Sequence, residues 1–362
     1  MPRPPIAPHL RPLQLLLTLL AGLVLSTACH PGGSASHPAP DSSPSSPPSF
    51  DSERDIVPFD PAKVRNWPGL PNLGRSCFIN AVVKSLAALP DLDPMLADQT
   101  ADAPATALVR KHLRTTINFV RSGGAVVTPL EPNALAQMLG LVSAFSGHTA
   151  LRHYAVRAQH VGGSEHLLLS HLLEVLGNPH AFSLAYSTKE MTPLVPGPAQ
   201  YQDGGTFSLL VSLRPDLAGH DLSAIPSIGA LWEWVCANPR DFGDGEDRYM
   251  LPITVPDTMQ LQITHFPPHK AMAFSEDLTF PVYAVDPVNH ADSVTGQVAM
   301  QAVSAIVGNP NHVWAMIHGD NGWYENNDQT PSRRVPTRDL DEQVSAHGTL
   351  IRETSLVFYQ KR

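Results

Sequence analysis

Cysteine is scarce: three residues in 362, at positions 29, 77 and 236. Three thiols cannot build a disulfide framework. No Cys-x-x-Cys pair exists, which excludes a tetracysteine zinc site. Positive charge is also short, with 24 Lys and Arg against 33 Asp and Glu and a net charge of −9. Residues 1–28 hold Arg3 and Arg11 and no acid, so the remainder carries −11. That excludes a basic nucleic-acid surface; an acidic surface suits a partner with a basic contact face. No internal repeat is evident, and no apolar run is longer than Leu13 to Leu25, interrupted by Gln14 and Thr18. That run is short for a membrane span. The rest has the make-up of an ordinary soluble globule, 43% hydrophobic with a mean hydropathy of −0.09. About 310 residues remain beyond the leader and linker, enough for one lobed domain or two domains.

Residues 1–29 read as a bacterial export signal: Arg3 and Arg11, then the apolar run, then Leu25-Ser26-Thr27-Ala28-Cys29. The last five resemble a lipobox, with Leu one position further back than usual. Lipidation at Cys29 is the favoured reading, and cleavage after Ala28 is the alternative. Residues 30–66 read as a Pro/Ser-rich linker, with Pro31, Pro38, Pro40, Pro44, Pro47 and Pro48 among serines, passing through a transitional segment over 51–67. Residues 67–362 read as the folded domain.

The chain is organised around 69–90, GLPNLGRSCFINAVVKSLAALP. A Gly/Pro/Asn turn runs into a helix with Phe78, Val82, Leu86 and Leu89 on one face and Pro90 as the stop. Cys77 falls in the first helical turn, where the helix dipole favours thiolate over thiol. Asn72 precedes it by five residues, in position to offer an amide donor to an oxyanion near the sulfur.

Further helices are expected over Ala107 to Arg121, Glu131 to Phe145, Glu165 to Leu176 and Ile228 to Val235. Strands are expected from Phe182 onward, including Thr206 to Leu213 and Met259 to Phe266. Asp241 to Asp247 reads as a solvated acidic loop without the ligand spacing of an EF-hand, and its Asp-Phe-Gly stands alone. His265-x-x-x-His269 has the spacing of a helical metal pair, but Pro267 and Pro268 forbid the helix. His160, His166 and His171 read as a polar helix face, and Cys236 as a buried structural thiol.

A nucleophilic thiol needs a base and a group that orients the base. Val303 to Val307, a turn at Asn309-Pro310-Asn311, His312 to Ile317, a turn over His318 to Gly322 and Trp323 to Asp328 read as consecutive antiparallel strands. Pairing of the last two brings Trp323 to Asn327 alongside the strand that His312 opens, an amide within reach of the imidazole.

Gly69-Leu70-x-Asn72-Leu73-Gly74-x-x-Cys77-Phe78-x-Asn80 resembles the cysteine box of the ubiquitin-specific proteases (USPs). Arg75-Ser76 replaces the usual Asn-Thr, and Lys84 stands where Gln is common. His312 with Trp323 and Asn327-Asp328 resembles the family's histidine box, with Val313 in place of the usual Tyr. The resemblance runs with gaps to Leu356 through Gln360, like the terminal USP strand. Gln159 and Leu172-Leu173-Glu174 echo the family's central box, although Gly162-Gly163-Ser164 breaks it.

The resemblance implies an α+β, papain-like cysteine protease fold of USP type, with a helical thumb, a β palm and reduced, zinc-free fingers. It assigns Cys77 as nucleophile, His312 as base, Asn327 as orienting residue, Asn72 as oxyanion donor and Asp328 as a contributing acid. The implied activity is thiol-dependent hydrolysis at the C-terminal glycine of ubiquitin, with ubiquitin conjugates as partners and no metal or cofactor. The leader adds export from a bacterial cell, to the outer membrane or beyond, toward host conjugates. Two alternatives stand: a papain-like peptidase for another modifier or peptide, and an inactive ubiquitin-binding lipoprotein.

Overall fold

The computed structural model describes residues 55–124, 133–190, 201–207, 209–213, 225–241, 247–265, 273–286, 288–289, 291–309, 311–340, 343–344 and 350–362. The chain divides into two compact units, Met1–Ser49 and Phe50–Arg362, and every described residue belongs to the second. The leader, Cys29 and most of the Pro/Ser segment lie outside the described residues.

The helices come first: α1 (Cys77–Ala87), α2 (Asp93–Leu96), α3 (Pro104–Arg121), α4 (Ala134–Gly147), α5 (Arg152–His160), α6 (Glu165–Val175) and, later in the chain, α7 (Ile228–Ala237). The strands are β1 (Leu184–Glu190), β2 (Tyr201–Phe207), β3 (Leu209–Leu213), β4 (Arg240–Asp241), β5 (Asp247–Thr254), β6 (Thr258–His265), β7 (Asp277–Asp286), β8 (Ala291–Asn309), β9 (His312–Gly319), β10 (Gly322–Asn326), β11 (Arg333–Arg334), β12 (Gln343–Val344) and β13 (Leu350–Lys361). The class is α+β.

One sheet has the order β2-β1-β5-β4; the other runs β11-β10-β9-β8-β13-β6-β3, with β7 added on β8 and β12 on β13. Among the described residues these strands pair antiparallel, except for β3 beside β6. The larger sheet is covered on both faces, so its central strands carry apolar residues at consecutive positions instead of alternating with polar ones. Leu356 and Phe358 of β13, Ile306 of β8 and Ala315 and Ile317 of β9 pack into the core shared with α1, α3, α4, α5 and α6. Their neighbours Val357, Tyr359, Ala305, Val307, Trp314 and Met316 face a second core with Leu231 and Trp232 of α7.

Helix α1 lies wholly inside, with every residue from Phe78 to Ala87 buried. Its far end is held by Arg121, which donates to the carbonyls of Ala87 (2.8 Å), Leu89 (3.0 Å) and Val57 (2.8 Å) and pairs with Asp93 at 2.7 Å. Arg110 and Arg114, also buried on α3, similarly bind the carbonyls of Met95 and Leu96. The arginine side chains thus satisfy helix-end carbonyls that have no intrahelical partner.

The fold begins earlier than the linker boundary at residue 66. Pro61–Asn66 is a 3-10 helix capped by Asp60, and Val64 and Trp67 are fully buried. Their apolar contacts outweigh the local Pro content. Three other expectations change. Thr206 to Leu213 is divided between β2, in the small sheet, and β3, in the large one; position 208 lies outside the described residues. Helix α4 starts at Ala134, where the Asn133 side chain accepts from Leu135 N at 2.8 Å, instead of at Glu131. Helix α5 meets the sequence expectations only at His160, read with His166 and His171 as a polar helix face; the structure puts His160 at the end of α5 and the other two on α6. The buried positions of α5 are only Tyr154, Ala155 and Ala158, too sparse an apolar face to read against its basic residues. Residues 242–246 and 266–272, with the acidic loop and His269, lie outside the described residues.

Candidate active site

The turn before α1 is built by side chains closing onto the backbone. Asn72 Oδ1 accepts from Ser76 N at 2.8 Å, and Ser76 Oγ accepts from Leu73 N at 2.8 Å. Gly74 takes φ +101°, a left-handed conformation that glycine adopts without a Cβ penalty, and Arg75 N donates to Ala158 O of α5 at 2.7 Å. Cys77 then occupies the first position of α1, partly exposed, and its backbone N–H has no intrahelical acceptor.

His312 arrives from the other side. Strand β8 pairs with β9 as far as Asn309 opposite His312, and β9 returns through Asp320-Asn321 into β10. Gly319 faces Gly322 across the turn, so the hairpin is tighter than the five-residue turn expected over 318–322. Strand β10 ends at Asn326, leaving Asn327 and Asp328 just beyond it beside the start of β9. The His312 ring nitrogen Nε2 stands 2.7 Å from Asn327 Oδ1; the amide oxygen accepts, so Nε2 carries the proton and Nδ1 is left for the thiol. His312 is pushed up to about 9, chiefly by its hydrogen bond with Cys77, against a downward pull from burial; Asn327 and the charge of Asp328 add to the rise.

Cys77, His312 and Asn327 are thus brought side by side. Glu325, missed in the sequence, continues the line: its carboxylate accepts from Asn327 Nδ2 at 3.5 Å and from Arg333 at 2.7 Å. The signal that could have found it is the period-two alternation of β10.

Asp328 has a different part from the one its neighbour Asn327 suggests. Its Oδ2 is 3.8 Å from His312 Nε2, too far for a hydrogen bond. The carboxylate instead accepts from Asn72 Nδ2 and from Asn80 Nδ2, each at 2.8 Å. Its backbone carbonyl accepts from Leu70 N at 2.6 Å and from Lys84 Nζ at 3.3 Å. Asp328 thus ties the turn, helix α1 and the segment after β10 together. Asn72 spends one of its two N–H groups on Asp328, leaving one for an oxyanion. A Cβ at Gly69 would stand 2.1 Å from Gln329 O, so glycine is what lets the turn approach the 327–330 segment this closely.

Lys84 is completely buried, and burial pulls its pKa down to about 8 despite the charge of Asp328. The unfolded chain keeps this proton up to about 10.5. From about 8 to 10.5 the unfolded state therefore binds more protons, and the contribution of Lys84 to stability rises with pH in that window. Unfolding titrations of wild type and Lys84→Met should differ by a free energy that is flat below about 8. Above it, the difference should climb in favour of wild type by up to about 1.4 kcal/mol per pH unit. A difference independent of pH between about 7 and 9.5 contradicts this.

A cleft of about 560 Å³ opens over the thiol, lined by Cys77, His312, Gly162, Gly163 and Ser164 with Asn309, Asn311 and Val313 opposite. Gly162-Gly163, the pair that interrupts the central box, is thus part of the cleft wall. A Cβ on Gly163 would come within 2.6 Å of the Phe78 ring. The rim is of mixed sign: Arg75 and Arg157 with Glu165. Among the described residues no cluster of three metal-ligating side chains occurs.

No protein-family model matches the chain, and no curated protein matches it by sequence. Solved structures do match in fold. A chain of the SAGA Ubp8/Sgf11/Sus1/Sgf73 DUB module bound to ubiquitin aldehyde superposes with a TM-score of 0.54 at 13% identity, over 83% of this chain and 70% of that one. A second structure of the module, bound to monoubiquitin, gives a TM-score of 0.54 at 12% identity over 85% and 72%. Over the aligned part, this α+β fold is thus shared with a chain of a DUB module.

Proposed function

We propose that the protein is a papain-like cysteine deubiquitinase that hydrolyses (iso)peptide bonds at the C-terminal glycine of ubiquitin. The observation that carries this reading is the Cys77–His312 pair in the wall of an open cleft, with Asn327 hydrogen-bonded to His312 behind it. The fold shared with the DUB-module chain supports it. The helical half acts as thumb, the large sheet as palm, and the small sheet with the β7–β8 hairpin as reduced fingers.

In the mechanism, the Cys77 thiolate attacks the glycine carbonyl while His312 stands protonated beside it. The oxyanion meets the Cys77 backbone N–H and the free N–H of Asn72. His312 protonates the departing lysine amine, then takes a proton from the water that attacks the thioester, releasing ubiquitin and thiolate. Asn327 holds the imidazole in the tautomer both steps need. The leader-like first 29 residues would place this activity outside the producing cell, with Cys29 as the lipid anchor.

Covalent labelling by ubiquitin carrying a C-terminal electrophile tests the reading. The full chain should gain the mass of one ubiquitin, and Cys77→Ala should gain none. A folded wild type that forms no adduct overturns it. One observation favours a second substrate class. Arg75 and Arg157 outnumber Glu165 at the rim, so a basic tail such as that of ubiquitin would face like charge. Another ubiquitin-like modifier with a less basic tail is the alternative, and a panel of modifier-fused reporters separates the two.

A further inference from the structure

His312 is held at its ring edge by two partners, Cys77 on one side and Asn327 on the other. Edge contacts fix where the nitrogens point but put nothing against the ring face. A third contact lies on the ring face. Trp314, two residues further along β9 and therefore on the same side of the strand, stacks on His312 with centroids 5.6 Å apart and planes at 26°. The indole cannot easily yield. Trp314 is 6% exposed and belongs to the core beneath the sheet with Met316, Trp323 and Val307.

We propose that Trp314 is a positioning residue for the base: its π face fixes the tilt of the His312 ring and stabilises the imidazolium over the neutral imidazole. A cation within about 6 Å of an indole centroid is attracted by the ring quadrupole, and the neutral form gains far less. The stack therefore favours the thiolate–imidazolium pair over thiol and imidazole. The other groups around the ring are Cys77 on α1, Asn327 and Asp328 after β10, and Arg75, Arg157 and Glu165 at the cleft rim. None of these is changed by substituting Trp314.

This inference rests on the Cys77–His312 pair of the proposed function, but not on ubiquitin as the substrate. The test is the pH dependence of Cys77 alkylation by iodoacetamide, read by peptide mass mapping on the full chain, for wild type, Trp314→Leu and Trp314→Phe. Loss of the stack should move the midpoint of Cys77 alkylation up by about 0.5–1 pH unit in the Leu variant. The Phe variant keeps a weaker π face and should fall between. In turnover assays, the alkaline limb of kcat/KM should move down correspondingly, with KM unchanged because Trp314 faces the core and not the cleft.

A purely structural role would lower the melting temperature and leave the pH midpoints in place. A folded Leu variant with a wild-type midpoint overturns the proposal. Should the Leu variant fail to fold, a Phe variant with a wild-type midpoint does the same. A shifted alkylation profile in a protein that ignores ubiquitin would sustain this inference while sinking the ubiquitin reading.

Discussion

Replacing His312 with alanine should lower kcat/KM for a ubiquitin conjugate by about 10²–10⁴-fold, the usual value of a positioned general acid–base. The fold should survive, because His312 is partly exposed at the start of β9 and makes its polar contacts at the cleft. The wild-type pH profile carries a second signature. His312 holds its proton up to about 9, chiefly through Cys77, so activity that depends on the imidazolium should fall as pH rises through about 9. Stability is linked in the same direction. The folded state binds this proton more tightly than the unfolded chain, whose midpoint is 6.5, so the stabilisation is full below 6.5 and is lost as pH rises through about 9. His312→Ala should abolish both dependences. An unchanged alkaline limb in a His312→Ala enzyme with residual turnover would show that another group sets it.

The second large effect concerns Asp328. Asn72→Ala removes one oxyanion donor and should cost about 10²–10³-fold in kcat with little change in KM. Asp328→Ala should cost at least as much. It releases Asn72 and also leaves Asn80, 1% exposed, without its carboxylate acceptor. A buried donor that loses an acceptor costs about 1–3 kcal/mol, so this variant should be destabilised, as should Asn72→Ala, which takes the acceptor from the buried Ser76 N–H. Asp328→Asn is a poor rescue, since one amide cannot accept from both Asn72 and Asn80 in the geometry the two carboxylate oxygens provide. A double-mutant cycle decides the route. If Asp328 acts through Asn72, the double variant should have the kcat of Asp328→Ala alone, a strongly non-additive result. Additive losses, or an Asp328→Ala effect that appears as a displaced pH profile, would place its action on His312 instead.

The Arg121 contacts give this site a rigid base. Helix α1 is pinned at its far end by a buried guanidinium and at its near end by the Asn72–Ser76 turn. Cys77, the proposed nucleophile, therefore sits on a helix that is fixed at both ends, while His312 and Asn327, the proposed base and its orienting amide, come from one hairpin. Catalytic geometry needs this kind of support, because a displacement of about 1 Å can cost about 10²-fold.

Helix α1 was legible as a helix from Cys77 onward, since its apolar residues recur at three- and four-residue steps and its punctuation is local. Strands β6 and β9 were legible for a similar reason, and so was the meeting of His312 with Asn327, which the hairpin brings together over 15 residues. What lay beyond the sequence depends on contacts between distant segments. Asp328 meets Asn72 across 256 positions, and no local pattern says that a carboxylate next to the orienting amide will turn toward the oxyanion turn instead of the imidazole. The division of 206–213 between two sheets is decided by which edges are open for pairing, β1 for one half and β6 for the other. Gly162-Gly163 looks like a broken motif in one dimension; in three it is the wall that fits against Phe78. Periodicity and turn chemistry are properties of neighbouring residues and can be read from the chain. Pairing, burial and the partner of each polar side chain are decided only when the segments pack.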